Sequence, residues 1–297
     1  MKAAFGVVSG NSCTGRALAV LVSLMIGGML LSIVLSAVLA MTIGLDEVST
    51  IRCSVVLQNV LAFIAPALLM PLVVYGKDYL LFSFGRNTDL SSYVWIALIY
   101  AVATPAINYL VAWNESLVLP EWMSPIEEWM KNSEASAKVV TDTLMADLSV
   151  TGLMMNIFCM GILTGIGEEL FFRGALQSVL VRSFRNRHLA VWVAAVVFSA
   201  FHLQFYGFVP RMIMGAIFGY ALLLTGSVWV PVVAHALNNI SVVVLTYLIN
   251  ADAVDESAAS LGVTDGFPLL ALVSAFFSFV LMLVFNRLMK SRKYDGN

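Results

Sequence analysis

The chain has 297 residues, is 60% hydrophobic and only 11% charged, and carries a formal net charge of −2. A soluble globular protein is charged at about a quarter of its positions. A fully water-facing surface is therefore excluded, and most of the chain must face lipid or other helices. Three widely separated cysteines, Cys13, Cys53 and Cys159, form no CxxC pair and give no disulfide framework. Cys159 sits in an apolar run, where cysteine usually serves packing.

Lys2 and Arg16 precede an apolar run from Ala17 to Leu45. That run exceeds the roughly 7–15 residues of a signal-peptide core and is followed by no clear small-residue cleavage site, so it reads as a retained first span. Since about 20 apolar helical residues cross a bilayer core, eight stretches are predicted to span: 17–43, 54–75, 92–112, 149–181, 189–207, 209–226, 228–249 and 267–288. The fourth is longer than crossing requires and carries two adjacent glutamates. Gly76, Gly207 and Gly226, with Pro210, mark turns. The expected fold is all-α: a single polytopic membrane domain over 1–297, with about eight transmembrane helices around a polar intramembrane cavity. No internal repeat and no appended soluble domain is visible.

Positive charge gives the orientation. With both termini cytoplasmic, Lys2, Arg16, Lys77, Arg86, Arg173, Arg182, Arg185, Arg187, Arg287, Lys290, Arg292 and Lys293 fall inside. Arg52, Lys131, Lys138 and Arg211 fall outside, twelve against four. The expected location is the cell membrane, with lipid as the surroundings and no nucleic-acid partner. The one sizeable loop, 114–148, has helical spacing of Trp122, Met123, Ile126, Trp129 and Met130, which suits an amphipathic helix on the outer surface. It reads either as an ordered surface helix or as a substrate-guiding lid.

Chemistry concentrates in Gly167-Glu168-Glu169-Leu170-Phe171-Phe172-Arg173. Carboxylates in a spanning segment are costly and seldom idle. Neighbours on a helix point about 100° apart, so the two acids serve different tasks. Glu169 and Arg173 share a face with the acid first, the favourable order for a supporting ion pair. Glu168 then has no local countercharge, and burial suits it to general acid–base work near neutrality. A purely structural ion network is the other reading.

Phe198 lies one turn before His202. Counted at about 1.5 Å per residue from the basic cluster 182–188, Glu168 and His202 both lie roughly 20 Å along their helices. Antiparallel packing would bring them level, with room for a water between. His235 and Asn239 also share a face, either as donors to an oxyanion or as a polar stitch between helices; Asn238 points elsewhere. No His-Glu-x-x-His zinc spacing and no Gly-x-Ser-x-Gly serine elbow is present, although two Glu, two His and an Asn could still ligate a metal. Asn108, Asn156, Gln204, Tyr206 and Arg211 read as packing or rim residues, Arg211 also as a substrate contact.

Glu168-Glu169-x-x-x-Arg173, Phe198-x-x-x-His202 and His235-x-x-x-Asn239 together resemble the three motifs of the CPBP family, also called the Abi or type II CAAX prenyl endopeptidase family of intramembrane glutamic proteases. The resemblance covers 165–241. It implies about eight spans, a cavity open to the cytosol, and hydrolysis of a peptide bond without a cofactor. Glu168 and His202 would activate water, His235 and Asn239 would hold the oxyanion, and Glu169, Arg173 and Phe198 would support them. The substrate implied is a peptide or protein, lipidated or otherwise membrane-associated. A transporter, a bacteriocin-immunity scaffold without proteolysis, and a metal-dependent membrane protease are the alternatives.

Overall fold

A computed structural model describes residues 11–76 and 88–295. Its principal helices are α1 (Asn11–Ile43), α2 (Glu47–Tyr75), α3 (Leu90–Glu115), α4 (Ser124–Met145), α5 (Val150–Ser183), α6 (Arg187–Phe201), α7 (Phe208–Thr225), α8 (Trp229–Asn250) and α9 (Leu269–Asp295). Among the described residues seven helices are long and apolar enough to cross a membrane, and only α6, of the eight expected spans, falls short. Its 15 residues extend about 22 Å, less than the roughly 30 Å hydrocarbon core. The expected span 189–207 is thereby corrected: the helix stops at Phe201, and a short turn over residues 202–207 leads into α7.

Helix ends follow local chemistry. The side chains of Asp46, Asp89, Ser149 and Asn186 accept backbone N–H bonds at the starts of α2, α3, α5 and α6. Gly226, at φ 72°, ends α7 in the left-handed conformation that glycine adopts without strain. Pro105 interrupts α3. Ser274 of α9 inserts there, accepting from Ala106 N–H (3.2 Å) and donating to Val102 O (2.5 Å), so the bent ladder stays satisfied and α3 is tied to α9.

The surface is oily and the interior is ionised. Leu30, Ile33, Met41, Phe276 and Phe279 are exposed, whereas Glu168, Glu169, Arg173, Gln177 and His235 are buried. One core joins α1, α2, α5, α6 and α8 through residues such as Leu21, Phe63, Phe172, Phe198 and Val232. A second joins α3, α7, α8 and α9 through Ile99, Phe218, Ala234 and Phe285. These buried polar residues lie where the two meet.

The charge count needs one correction. Arg173 is buried and paired within α5, so it is no loop charge, and the set expected inside falls from twelve to eleven. Lys2, Lys77 and Arg86 lie outside the described residues, as do the side chains of Arg292 and Lys293.

Irregular backbone at membrane depth must find protein partners. Asn114 donates to Phe205 O (3.0 Å) and accepts from Val209 N–H (2.8 Å), Ser199 donates to Phe208 O (2.7 Å), and Ser133 of α4 donates to Leu203 O (2.9 Å). Asn114→Ala strands two of these backbone groups and should destabilise the protein by about 2–4 kcal/mol. A thermal midpoint in detergent unchanged by the substitution would show that water replaces the amide.

Candidate active site

Helix α5 carries the acids. It is wound in wide, π-type turns over Ile157–Leu163 and Leu170–Gln177, on both sides of the Glu pair. Hydroxyls five residues further on stabilise these turns: Thr164 donates to Cys159 O (2.9 Å) and Ser178 to Arg173 O (3.2 Å). Such turns recur where a helix bears function.

Glu169 is fully buried and is the hub of the site. Its Oε1 accepts from Arg173 Nη1 at 2.7 Å and from His235 Nδ1 at 2.8 Å. Arg173 also donates to Gly215 O (3.1 Å), and its guanidinium lies over the Phe198 ring at 4.3 Å. The expected Glu169–Arg173 ion pair is thus present, with His235 as a third member that spacing alone did not reveal.

Two hydrogen bonds fix both imidazoles. A carboxylate and a carbonyl can only accept, so His235 Nδ1 carries its hydrogen toward Glu169, and His202 Nδ1 carries its own toward Phe198 O (2.8 Å). Each Nε2 then turns to one atom: Glu168 Oε2 lies 3.7 Å from His202 Nε2 and 3.9 Å from His235 Nε2. That oxygen is buried and accepts no hydrogen bond from any described residue. Contacts of this length between polar atoms suit a bridging water. Among the described residues no group of three or more His, Cys, Asp or Glu is placed to hold a metal ion.

Phe198 and Phe218 wall the imidazoles: Phe198 meets both rings edge-on, and Phe218 stacks on His235 at 5.2 Å. Asn239 lies one turn beyond His235, donating to Met160 O (3.1 Å) and accepting from Asn238 (2.9 Å). It pins α8 to α5, and none of its hydrogen bonds is to Glu168, His202 or His235.

Sequence reasoning passed over three supports. A Cβ on Gly215 would meet Arg173 Nη2 and Phe198 at 3.1 Å, and one on Gly219 would meet Gln177 Oε1 at 2.6 Å. Gly215-x-x-x-Gly219 is the small-residue signal of close helix packing and was there to be read. Asn59, buried in the wide-turned part of α2, donates to Thr164 Oγ1 (3.2 Å) and abuts Gly167. An asparagine within an apolar span was its signal.

These features define a polytopic membrane protein with a buried acid–imidazole cluster assembled from four helices. Residues 150–241 match the family model described as type II CAAX prenyl endopeptidase Rce1-like. The part of the chain that holds the cluster is thus similar to the type II CAAX prenyl endopeptidases, while residues 1–149 and 242–297 lie outside the match. No curated protein and no solved structure matches the chain.

Arg173→Met would leave Glu169 buried without its cation and should cost about 3–5 kcal/mol. Adding Glu169→Gln removes the stranded charge, so the double variant should lose less than the sum of the singles. Additive losses in unfolding experiments would mean that the two side chains are not coupled.

Proposed function

We propose that the chain is an intramembrane endopeptidase of the glutamic type, with Glu168 as general base and His202 as its partner in holding the attacking water. The carrying observation is the convergence of Glu168 Oε2 and the two Nε2 atoms on one point, at 3.7 and 3.9 Å. A water there donates one hydrogen to Glu168 and the other to an imidazole. Glu168 takes the first proton as the oxygen attacks the peptide carbonyl, then returns it to the leaving amine. No covalent intermediate forms.

His235, with its Nδ1 hydrogen given to Glu169, accepts through Nε2, and its proposed part is to hold the water's second hydrogen beside His202. Asn239 has one amide hydrogen beyond the one given to Met160 O, and its proposed part is to approach the oxyanion from the rim. The substrate class is a peptide, lipidated or carried on a membrane protein.

Access follows from burial. Toward the basic ends of α5 and α6 the site is closed by fully buried Phe172, Arg173, Gln177, Val191, Ala195 and Leu222. Its half-buried edge is His202 with Gln204 and Arg211, beneath α4. With the termini cytoplasmic, that edge faces the extracytoplasmic side, opposite to the cytosolic opening that the resemblance implies.

Glu168→Gln should lower peptide cleavage in proteoliposomes by about 10²–10⁴-fold, with little change in thermal midpoint, and His202→Ala should lower it too. Full cleavage by either purified variant would reject the assignment. Cleavage lost to chelators and restored by zinc would assign the same three groups to a metal instead. For orientation, Leu203→Cys in a cysteine-free background should react with a membrane-impermeant maleimide added to right-side-out vesicles. Labelling only in inverted vesicles would reverse the topology.

A further inference from the structure

Two arginines lie near Glu168, and they are held in opposite ways. Arg173 is fully buried, paired with a carboxylate and pressed against an aromatic ring. Arg211, in the first turn of α7, is half-buried at the open edge. Its Nη1 donates to Gln204 O (3.1 Å) and its Nη2 to Gln204 Oε1 (2.9 Å), and no described carboxylate lies within ion-pair distance of it. A guanidinium has five N–H hydrogens in a rigid fork, so most of its donors remain uncommitted.

The cradle is rigid. Leu203 holds φ 54°, a left-handed conformation unusual for leucine, and Ser133 of α4 fixes its carbonyl. A Cβ at Gly207 would come to 3.0 Å from Arg211 Nη2, so glycine lets the guanidinium lie against the turn. Trp129 of α4 packs on Phe205 at 5.0 Å and holds the turn from outside. Arg211 stays within electrostatic reach of Glu168 and His202 on one side and of Glu134 on the other. Glu134 does not use it as a hydrogen-bond partner, and its own Oε2 is buried without one.

We infer that Arg211, aimed by Gln204, is a carboxylate-binding subsite at the mouth, which selects peptides carrying a carboxylate close to the scissile bond. This rests on the proteolytic reading above. The carboxylate is either the chain terminus or an Asp or Glu side chain; both present the two oxygens that an arginine fork takes. A lone guanidinium at a half-dry edge attracts such a group far more strongly than one in bulk water. Its electrostatic reach to His202 and Glu168 would put a bound carboxylate near the reacting bond.

The test uses the full-length protein in proteoliposomes and a proteome-derived peptide library in three forms: native, amidated at chain termini only, and amidated at every carboxyl. Cleavage is read by mass spectrometry. The wild type should cut the fully amidated library about tenfold less than the native one. The termini-only form tells a terminal carboxylate from a side chain. Arg211→Gln should bring the native and fully amidated rates together. Glu134→Gln, which removes a competing negative charge, should widen the wild-type ratio. Should Arg211→Gln yield no folded protein, Arg211→Lys, which keeps charge but loses the fork, should narrow the ratio.

A wild type that cuts both libraries alike overturns the inference and leaves the protease reading standing. A wild type that cuts neither overturns both. If Arg211→Gln shifts the pH profile equally for both libraries while their ratio persists, the guanidinium serves Glu168 rather than the substrate, and the inference falls.

Discussion

One carboxylate oxygen organises this membrane protein. Glu169 Oε1 accepts hydrogen bonds from Arg173 on its own helix and from His235 on α8. A buried, solvent-free carboxylate is tolerable only with such partners, because neither lipid nor apolar side chains can solvate it. The same bonds draw α5, α7 and α8 together, since Arg173 continues to Gly215 O. They also select the tautomer of His235 and so turn its other nitrogen toward Glu168. Glu169 is bonded through Oε1 while its Oε2 has no partner among the described residues; Glu168 Oε2, also buried and unpartnered, faces the two imidazole Nε2 atoms. Adjacent glutamates thus diverge: the second is tied to Arg173 and His235, and the first faces the two Nε2 atoms.

That hub needs backbones closer than ordinary side chains allow. A Cβ on Gly165 would approach Ala236 N at 2.9 Å, and one on Gly215 would crowd both Arg173 and Phe198. The glycines let α8 and α7 press against α5, and the aromatic rings fill the remaining volume. Phe198 touches the guanidinium and both imidazoles, so one ring sets the spacing of three polar groups. Packing and electrostatics are not separable here. A shift of α7 by a fraction of an ångström would lengthen the Arg173–Gly215 bond and loosen the ion pair beyond it.

Much of this was legible in the chain. The spans follow from hydropathy, and equal distances from the basic cluster put Glu168 level with His202, where they lie 3.7 Å apart. The four-residue spacing of Glu169 and Arg173 gave their pair. His235 could not be tied to Glu169 from sequence, because that contact depends on the approach of two helices 66 positions apart and on the wide turns of α5. Nor did hydropathy locate the end of α6. Phe201, Leu203, Phe205 and Phe208 stay apolar through the turn, so the helix stops while the oily run continues. What ends it is tertiary: side chains of α3 and α4 take up the freed backbone groups.

The short α6 is what gives the site a wet edge and a dry one. Had the helix run a full span, His202 would sit in mid-helix under lipid, with no turn beside it and no polar neighbours at its level. Ending at Phe201, the chain leaves His202 at the boundary: its Nδ1 reaches back to Phe198 O, while 24% of its side chain remains exposed. Water can reach the imidazole from that edge, and the ring stack behind keeps it from Glu169 and Arg173. The proposed hydrolysis needs both conditions at once, a supply of water and a packed wall that keeps bulk solvent from the carboxylate. Breaking one helix early, at the cost of several side-chain hydrogen bonds to pin the turn, supplies the two together.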